Sequence, residues 1–344
     1  MEYRVYDFSV MPFVLPAAAD EITGIVKRYA SGEGFSFFTS GSTGPPREIT
    51  LTHQQITFSA RATLSLFSHP PRSVLLCLPV DRIGGFMVVI RAILGKMRLY
   101  SISPSVNPFA DWPKDMSLPE LTSLTPLQLT AILCHDTTAA YFRQLQFAFI
   151  GGAPLPDVLP RDLLSPILWE TYSMTETASQ VAVRKVGEKA FRLLPGFQLA
   201  QDVDEGLVIS CPDMDIYKLK TNDRVSLLGP DLFVFRGRLD FVLNSGGVKV
   251  HPEEVERQLI NCLGSDLPLA ISAVPDVSLG DKVVLCVAAE DSEGIRERLM
   301  SCFSGLHRHS RPKDIIFLPT FPLTPGKKLD RRALKQKVTE IYFS

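Results

Sequence analysis

The stretch FSFFTSGSTGPPR, residues 35–47, decides how this chain is read: an apolar run passes at once into a loop of small hydroxylated residues and glycines. The run FSFFT, 35–39, predicts a strand. Thr39, Ser40, Gly41, Ser42, Thr43 and Gly44 then place four hydroxyl side chains and two glycines in six positions. Such a loop can wrap a polyphosphate. Glycines let backbone N–H groups approach the anion, and hydroxyls add donors where a carboxylate would repel it. It is not the GxxxxGK[ST] loop, because the required Lys is absent, and no GxGxxG occurs in the chain. Taken alone, a Ser/Gly surface turn accounts for the same residues.

Working outward, a helix should follow the loop. Thr52 can cap it, Gln55 stands three residues on as in a capping box, and Ile56, Ala60, Leu64 and Phe67 recur at helical spacing. Further strands are expected in VLLCLPV (74–80), FAFIGG (147–152) and ILWETY (167–172), giving α/β alternation with sheets at the centre. The Pro-containing stretch 102–119 reads as an ordered loop. From residue 206 the short runs GLVIS and DLFVFRG indicate a small β subdomain. Beyond Asp240, Pro252 opens a helix through Val255, Leu259 and Cys262. LAISAVP, KVVLCVAAE and DIIFLP then supply strands around a helix at 292–303. The expected division is 1–239 and 240–344, the latter a compact α+β domain.

Composition limits what the loop can serve. With 344 residues, 45% hydrophobic and 21% charged, the chain can bury one sizeable core and a smaller second one. Its net charge of −1 provides no broad basic field for nucleic acid or an anionic membrane, so any anion must be held by local groups. No run approaches the roughly 18 apolar residues of a membrane span, and MEYRVYDFSV lacks a basic-then-apolar leader. A soluble, cytoplasmic protein is expected. The six cysteines never form a CxxC pair, and the expectation is reduced, mostly buried thiols.

Seven segments occur in a fixed order: TSGSTGPPR at 39, GGAPLP at 151, YSMTE at 172, DEGLVIS at 204, YKLKTND at 217, FRGRLDFVLNSGGVKVHPEEVE at 235 and PLTPGKKLDRRAL at 322. Together they resemble the core motifs of the adenylate-forming superfamily of acyl-CoA synthetases, carrier-protein adenylation domains and luciferases. The resemblance spans residues 35–335. It implies a large N-terminal domain of layered α/β sheets with a small β subdomain, followed by a small mobile C-terminal α+β domain. The implied chemistry is ATP-dependent activation of a carboxylic acid as an acyl-adenylate, then transfer to coenzyme A.

The resemblance also implies a role for each motif. Thr39 to Gly44 would hold the β- and γ-phosphates. Gly151, Gly152 and Ala153 would wall the adenine, with Tyr172 stacking on it. Thr175 would donate to the α-phosphate and Glu176 would bind Mg²⁺, a hard cation suited to one carboxylate plus phosphate oxygens. Asp223 would accept from the ribose hydroxyls with Arg238 in support. Lys328 would offset the charge that builds during adenylation, with Lys327 a substitute because Gly326 stands one place earlier than usual. Asp240 would be the hinge, and Gly246 and Gly247 would line a tunnel for the pantetheine arm; a plain hairpin turn fits the same glycines. The implied partners are small molecules (the acid, ATP and CoA), and a homodimer is compatible with the resemblance.

Some positions depart from the pattern. Only 34 residues precede FSFFT, where relatives commonly have well over a hundred, so part of the usual N-terminal subdomain is expected to be missing or rebuilt. Arg47 replaces the usual Lys, preserving charge, and Asn222 replaces a Gly, being able to adopt positive φ. Asp81 and Arg82 lie where an aromatic–His pair is usual. Gly85 with Arg91 six residues on resembles the o-succinylbenzoate-CoA ligases of menaquinone biosynthesis. On that resemblance Arg91, with Arg82 in reserve, would bind the acid, although an apolar stretch can also bury an arginine as a structural ion-pair partner. Other aryl- or fatty-acyl ligases, adenylation for a carrier protein, and a non-catalytic nucleotide-binding homologue remain alternatives.

Overall fold

The structure, a computed structural model, describes residues 3–10, 20–39, 47–153, 155, 168–264, 267–324 and 329–343. Its chain divides into two units. One comprises Met1–Leu199, Ile209–Leu219 and Leu228–Phe233; the other comprises Ala200–Val208, Lys220–Leu227 and Val234–Ser344.

In the first unit β1 (Tyr3–Asp7) precedes α1 (Glu21–Ala30), which Asp20 caps by accepting from the Thr23 N–H at 2.7 Å. Next, β2 (Phe35–Thr39) and β3 (Arg47–Leu51) form an antiparallel hairpin closed by the pair Thr39–Arg47. Helix α2 (His53–Leu64) opens on the expected capping box, with Thr52 and Gln55 exchanging both hydrogen bonds. Phe67 is buried but lies beyond the end of α2. Strand β4 is shorter than its apolar run, Ser73–Leu76, because the chain turns through Pro79 into α3 (Ile83–Leu94). A Cβ on Gly85 would lie 2.2 Å from the Pro79 carbonyl oxygen, so glycine is what lets α3 start against that turn.

The remainder of this unit completes a sheet through β5 (Arg98–Ile102), β6 (Leu121–Leu124), α4 (Pro126–Leu133), α5 (Asp136–Phe142), β7 (Phe147–Ile150), β8 (Leu168–Met174), β9 (Ser179–Lys185) and β10 (Phe191–Leu193). The order is β1-β5-β4-β6-β7-β8-β9-β10. The links β5-β4-β6-β7-β8 are parallel and those at either end antiparallel. Parallel strands are covered on both faces, which is why Val74, Leu75 and Leu76 are buried without alternation. The stretch 102–119 is ordered by its own apolar payload: Phe109 and Trp112 are buried against Tyr100 and Ile132, and Gln128 donates to the Ser105 carbonyl.

Strands β11 (Gln198–Gln201), β12 (Gly206–Cys211), β13 (Ile216–Leu227) and β14 (Leu232–Arg238) form the expected small β region, in the order β14-β13-β12-β11. Asn222 lies inside β13 and is not among the residues with positive φ, so this position asks for no glycine-like backbone.

In the second unit, β15 (Leu243–Ser245), β16 (Val248–Val250), α6 (Pro252–Leu263), β17 (Leu269–Asp276), β18 (Gly280–Ala288), α7 (Glu293–Phe303), β19 (Asp314–Leu318) and α8 (Arg331–Phe343) build a second sheet, ordered β16-β15-β18-β17 with β19 parallel to β18. Successive residues of a strand face opposite sides. Thus Val283, Leu285 and Val287 of β18 join the cluster containing Val255, Leu259 and Leu299 of α6 and α7, while Val284 and Cys286 pack with Leu334 and Val338 of α8.

One expectation is corrected here. Cys262 and Cys302 form a disulfide with Cα atoms 5.8 Å apart, rather than staying as thiols. The cysteines are 40 residues apart in sequence, and only the packing of α6 on α7 brings their ends together. Cys77, Cys211 and Cys286 are buried free thiols as expected, whereas Cys134 is exposed. Among the described residues no helix is long and apolar enough to cross a membrane.

Candidate active site

The motif YSMTE ends β8 and enters a 3₁₀ turn, Thr175–Thr177, from which the chain returns as β9. The turn closes with Ala178 at φ +50° and Ser179 at φ +93°, two side-chain-bearing residues in the left-handed region. Such a backbone costs on the order of 1–3 kcal/mol per residue and persists only where neighbours over-determine it. Here the neighbours are identifiable. Ser59 of α2 donates to the Ala178 carbonyl at 2.6 Å, Thr63 donates to Gln180 Oε1 at 2.8 Å, and Thr177 Oγ1 donates to the Ser179 carbonyl at 3.0 Å. Strand β3 lies against the same turn. The β2–β3 hairpin is therefore packed, through β3, beside the turn that carries Thr175 and Glu176. Ser40, Gly41, Ser42, Thr43 and Gly44 lie outside the described residues, as does the side chain of Thr39.

Tyr172 stands on β8 with its ring edge-on to Phe191 (6.1 Å) and Phe233 (5.3 Å), which stack on each other. Behind this wall Arg184 lies over Phe191 and pairs with buried Glu170 at 2.6 Å, its cross-strand partner. Gly151 and Gly152 follow the end of β7, where the Gly151 N–H donates to the Leu124 carbonyl, and Ala153 comes next. Thr171, immediately before Tyr172, donates to the Ile150 carbonyl at 3.3 Å. The glycine segment and Tyr172 are thus brought together at the ends of adjacent parallel strands, where α/β sheets place their ligand crevices. Glu176 is half-buried. Among the described residues no cluster of three or more His, Cys, Asp or Glu is poised for a metal, so a hard cation at Glu176 would draw most of its ligands from phosphate oxygens.

Arg91 is the most unusual side chain of this unit. It is 3% exposed, on the inner face of α3, and its Nη2 donates to Ser179 Oγ at 3.3 Å. Among the described residues its Nε has no hydrogen-bond partner and it makes no ion pair. Burial pushes the guanidinium down to about 9, which leaves it charged at neutral pH. The alternative of a structural ion-pair partner is therefore not what the described residues contain. Arg82 is elsewhere. It is the N-cap of α3, about 13.5 Å along the helix from Arg91 at about 1.5 Å per residue. There it is half exposed, 3.6 Å from Asp81, and lines a cleft of about 490 Å³ with Glu21, Arg28, Phe35 and Phe86.

In the second unit Asp223, 9% exposed, accepts from Arg238 Nη1 at 3.1 Å. The same guanidinium grips Asp240 through Nε and Nη2, both at 2.9 Å. Arg238 thus joins the carboxylate expected at the ribose to the residue expected at the hinge. Gly246 (φ +60°) and Gly247 (φ +79°) are the two central residues of the β15–β16 hairpin, a turn that needs positive φ at both. The Gly246 N–H donates to the Leu279 carbonyl at 2.7 Å, so the structural role of these glycines is realised. Lys327 and Lys328 lie outside the described residues.

The sequence reading missed Ser59, Thr63 and Ser179. Two hydroxyls on the buried face of α2, four residues apart, were the available signal for a helix that binds polar backbone; Ser179 carried none.

The family model described as AMP-binding enzyme matches residues 35–221. A 2-succinylbenzoate–CoA ligase of Bacillus cytotoxicus is 25% identical over 342 residues, which cover 88% of this chain and 70% of that protein. An acyl-CoA synthetase (AMP-forming)/AMP-acid ligase II-like protein from Dyadobacter fermentans superposes with a TM-score of 0.62 at 28% identity, covering 98% of this chain and 100% of that one. E. coli MenE, solved with a phenylether-linked analogue of OSB-AMS, has a TM-score of 0.67 at 24% identity, covering 89% and 69%, and shares the fold. The family match takes in more than half of the residues, from the hairpin Phe35–Leu51 to Thr221 in β13, and the chain belongs to the AMP-binding enzyme family.

Proposed function

We propose that this AMP-forming acid–CoA ligase activates o-succinylbenzoate, passing it through an acyl-adenylate to a CoA thioester. The observation that carries the choice of acid is Arg91, a buried cation whose Nε is unsatisfied and which pairs with no carboxylate among the described residues. o-Succinylbenzoate has two carboxylates. Only the succinyl one is activated, so the ring carboxylate enters the pocket ionised and needs a partner there. A guanidinium can hold it through two parallel hydrogen bonds. The name of the Bacillus cytotoxicus relative supports the same acid.

In the first half-reaction a succinyl carboxylate oxygen attacks the α-phosphorus of ATP and pyrophosphate leaves. Thr39 to Gly44 hold the leaving phosphates, Thr175 donates to the α-phosphate, and Tyr172 with Gly151, Gly152 and Ala153 receives the adenine. Glu176 would hold Mg²⁺, which would lower the charge repulsion among the phosphates. Asp223, steadied by Arg238, takes the ribose hydroxyls. Lys328 offsets the negative charge of the in-line transition state. In the second half-reaction residues 240–344 turn at Asp240, and the CoA sulfur, reaching in past Gly246 and Gly247, attacks the acyl carbon and expels AMP.

The test is pyrophosphate release and thioester formation over a panel of aryl, fatty and dicarboxylic acids, with and without CoA. Turnover of o-succinylbenzoate with CoA is expected. Turnover of another acid in its place would overturn the choice of acid and leave the class standing; no acid-dependent pyrophosphate release would favour a non-catalytic homologue.

A further inference from the structure

We propose that Arg331 is a positioning residue for adenylation, locking the segment that carries Lys328 to α6 and to the aromatic ring beside Asp240. The proposal rests on the reading of Lys328 given above.

Arg331 begins α8, and its side chain is only 16% exposed. Nη1 and Nη2 donate to the two oxygens of Glu256 at 2.9 and 2.7 Å, and Nε lies 3.6 Å from Glu253 Oε1. The guanidinium also sits 5.4 Å from the ring centroid of Phe241, the residue after Asp240. One cation therefore meets two carboxylates of α6 and the aromatic ring next to the expected hinge. Glu256 in turn accepts the Ile271 N–H of β17 at 2.7 Å, so the fork is anchored to the sheet. The end of β14 is drawn in as well. A Cβ on Gly237 would come within 3.0 Å of Glu253 Oε2, an oxygen that is buried without a hydrogen-bond partner among the described residues.

Docking of α8 does not require this fork. Leu334 and Val338 are buried in the sheet, Tyr342 meets Lys282 and Asp314, and Lys335 pairs with Asp281 at 2.9 Å. What Arg331 adds is control over the feet of the segment 323–329. Those feet are paired through Leu323 and Leu329, and the Asp330 N–H donates to the Pro322 carbonyl at 2.9 Å. Asp330 Oδ1 also accepts the N–H groups of Arg332 and Ala333. Arg331 thus ties the described residues that flank the lysine to α6 and Phe241. Loosening the fork should blur the lysine's position in the first half-reaction, and a shift of about 1 Å remote from the chemistry can cost up to about 10²-fold.

The experiment uses the full chain with o-succinylbenzoate, or the acid the panel selects. It compares Arg331→Met, Arg331→Lys and Glu256→Gln with Lys328→Ala in three measurements: acid-dependent ATP–pyrophosphate exchange, thioester formation from preformed acyl-adenylate, and thermal denaturation. Arg331→Met should lower kcat for exchange by at least about 10-fold, with KM for ATP within about twofold and thioester formation within about threefold. Arg331→Lys should recover little, since an ammonium cannot reproduce the planar fork. Glu256→Gln should show the same split, and it decides the matter if Arg331→Met does not fold. Equal loss of both half-reactions in step with a fall in Tm, or no loss in either, overturns the proposal. Loss of exchange in Lys328→Ala without loss in the Arg331 variants removes the proposal alone; retention of exchange in Lys328→Ala removes the lysine reading and the proposal with it.

Discussion

The guanidinium of Arg91 ends 3.3 Å from the hydroxyl of Ser179, three residues beyond Glu176, so the helix α3 and the turn of the YSMTE motif meet through a buried cation. Ser179 holds a positive φ, and Ser59 and Thr63 bind the backbone and side chain on either side of it.

If that cation awaits the ring carboxylate, Arg91→Leu should raise KM for o-succinylbenzoate strongly and leave KM for ATP nearly unchanged. A monocarboxylic analogue lacking the ring carboxylate should lose little. Measured as a cycle of two proteins and two acids, the coupling should exceed about 1.5 kcal/mol, as for a desolvated charged pair. A coupling near zero takes Arg91 out of the acid site.

The same residue should cost the free protein stability. Its folded value of about 9 lies well below that of an exposed arginine, so the unfavourable burial of charge is fully present below about 9 and is relieved as pH rises from there towards the ordinary arginine value. At pH 7, Arg91→Met should therefore leave the free protein as stable as the parent or raise its stability by about 1 kcal/mol, as when other buried charges are replaced by apolar residues. It should also abolish any rise in Tm caused by the dicarboxylic acid. A loss of several kcal/mol at pH 7 would mean that the cation is already compensated.

If Gly246 faces the pantetheine arm, substitutions there should separate the two half-reactions. Gly246→Asn tolerates the left-handed backbone, whereas Gly246→Leu adds bulk at φ +60° and a left-handed strain of about 1–2 kcal/mol. Both should retain ATP–pyrophosphate exchange and impair thioester formation. Parallel loss of both activities would leave only the hairpin role that the Leu279 contact already accounts for.

The Cys262–Cys302 bond makes a count. The denatured, unreduced chain should titrate four thiols rather than six. Replacing both cysteines with serine should destabilise the second unit by about 4 kcal/mol on the chain-entropy model for a loop of this length. Six titratable thiols without reductant would contradict the pairing.

Much of the fold was legible because its signals are local. The capping box at Thr52 and Gln55, the Pro252 helix start and the alternation of β18 each depend on residues within a few positions, and each is found where its pattern places it. Strand β4 fell short of its run because periodicity does not register the turn at Pro79. Of the site, the order of motifs named Tyr172, Thr175, Glu176, Asp223 and Arg238. The ion pair of Arg238 with Asp223 was anticipated, and its simultaneous hold on Asp240 was not.

The sequence by itself determined the family, the order of strands and helices, and the chemistry available at each motif, because these follow from residue types at short spacing. Tertiary structure alone decided that Arg91 is buried against Ser179 while Arg82, on the same helix, lines a separate cleft. It alone decided that Cys262 meets Cys302 and that Arg331 reaches Glu256 and Phe241. These contacts join residues 40 to 90 positions apart. The environment of a charge or a thiol is set by whatever the packing brings within a few ångströms, and no local pattern encodes that.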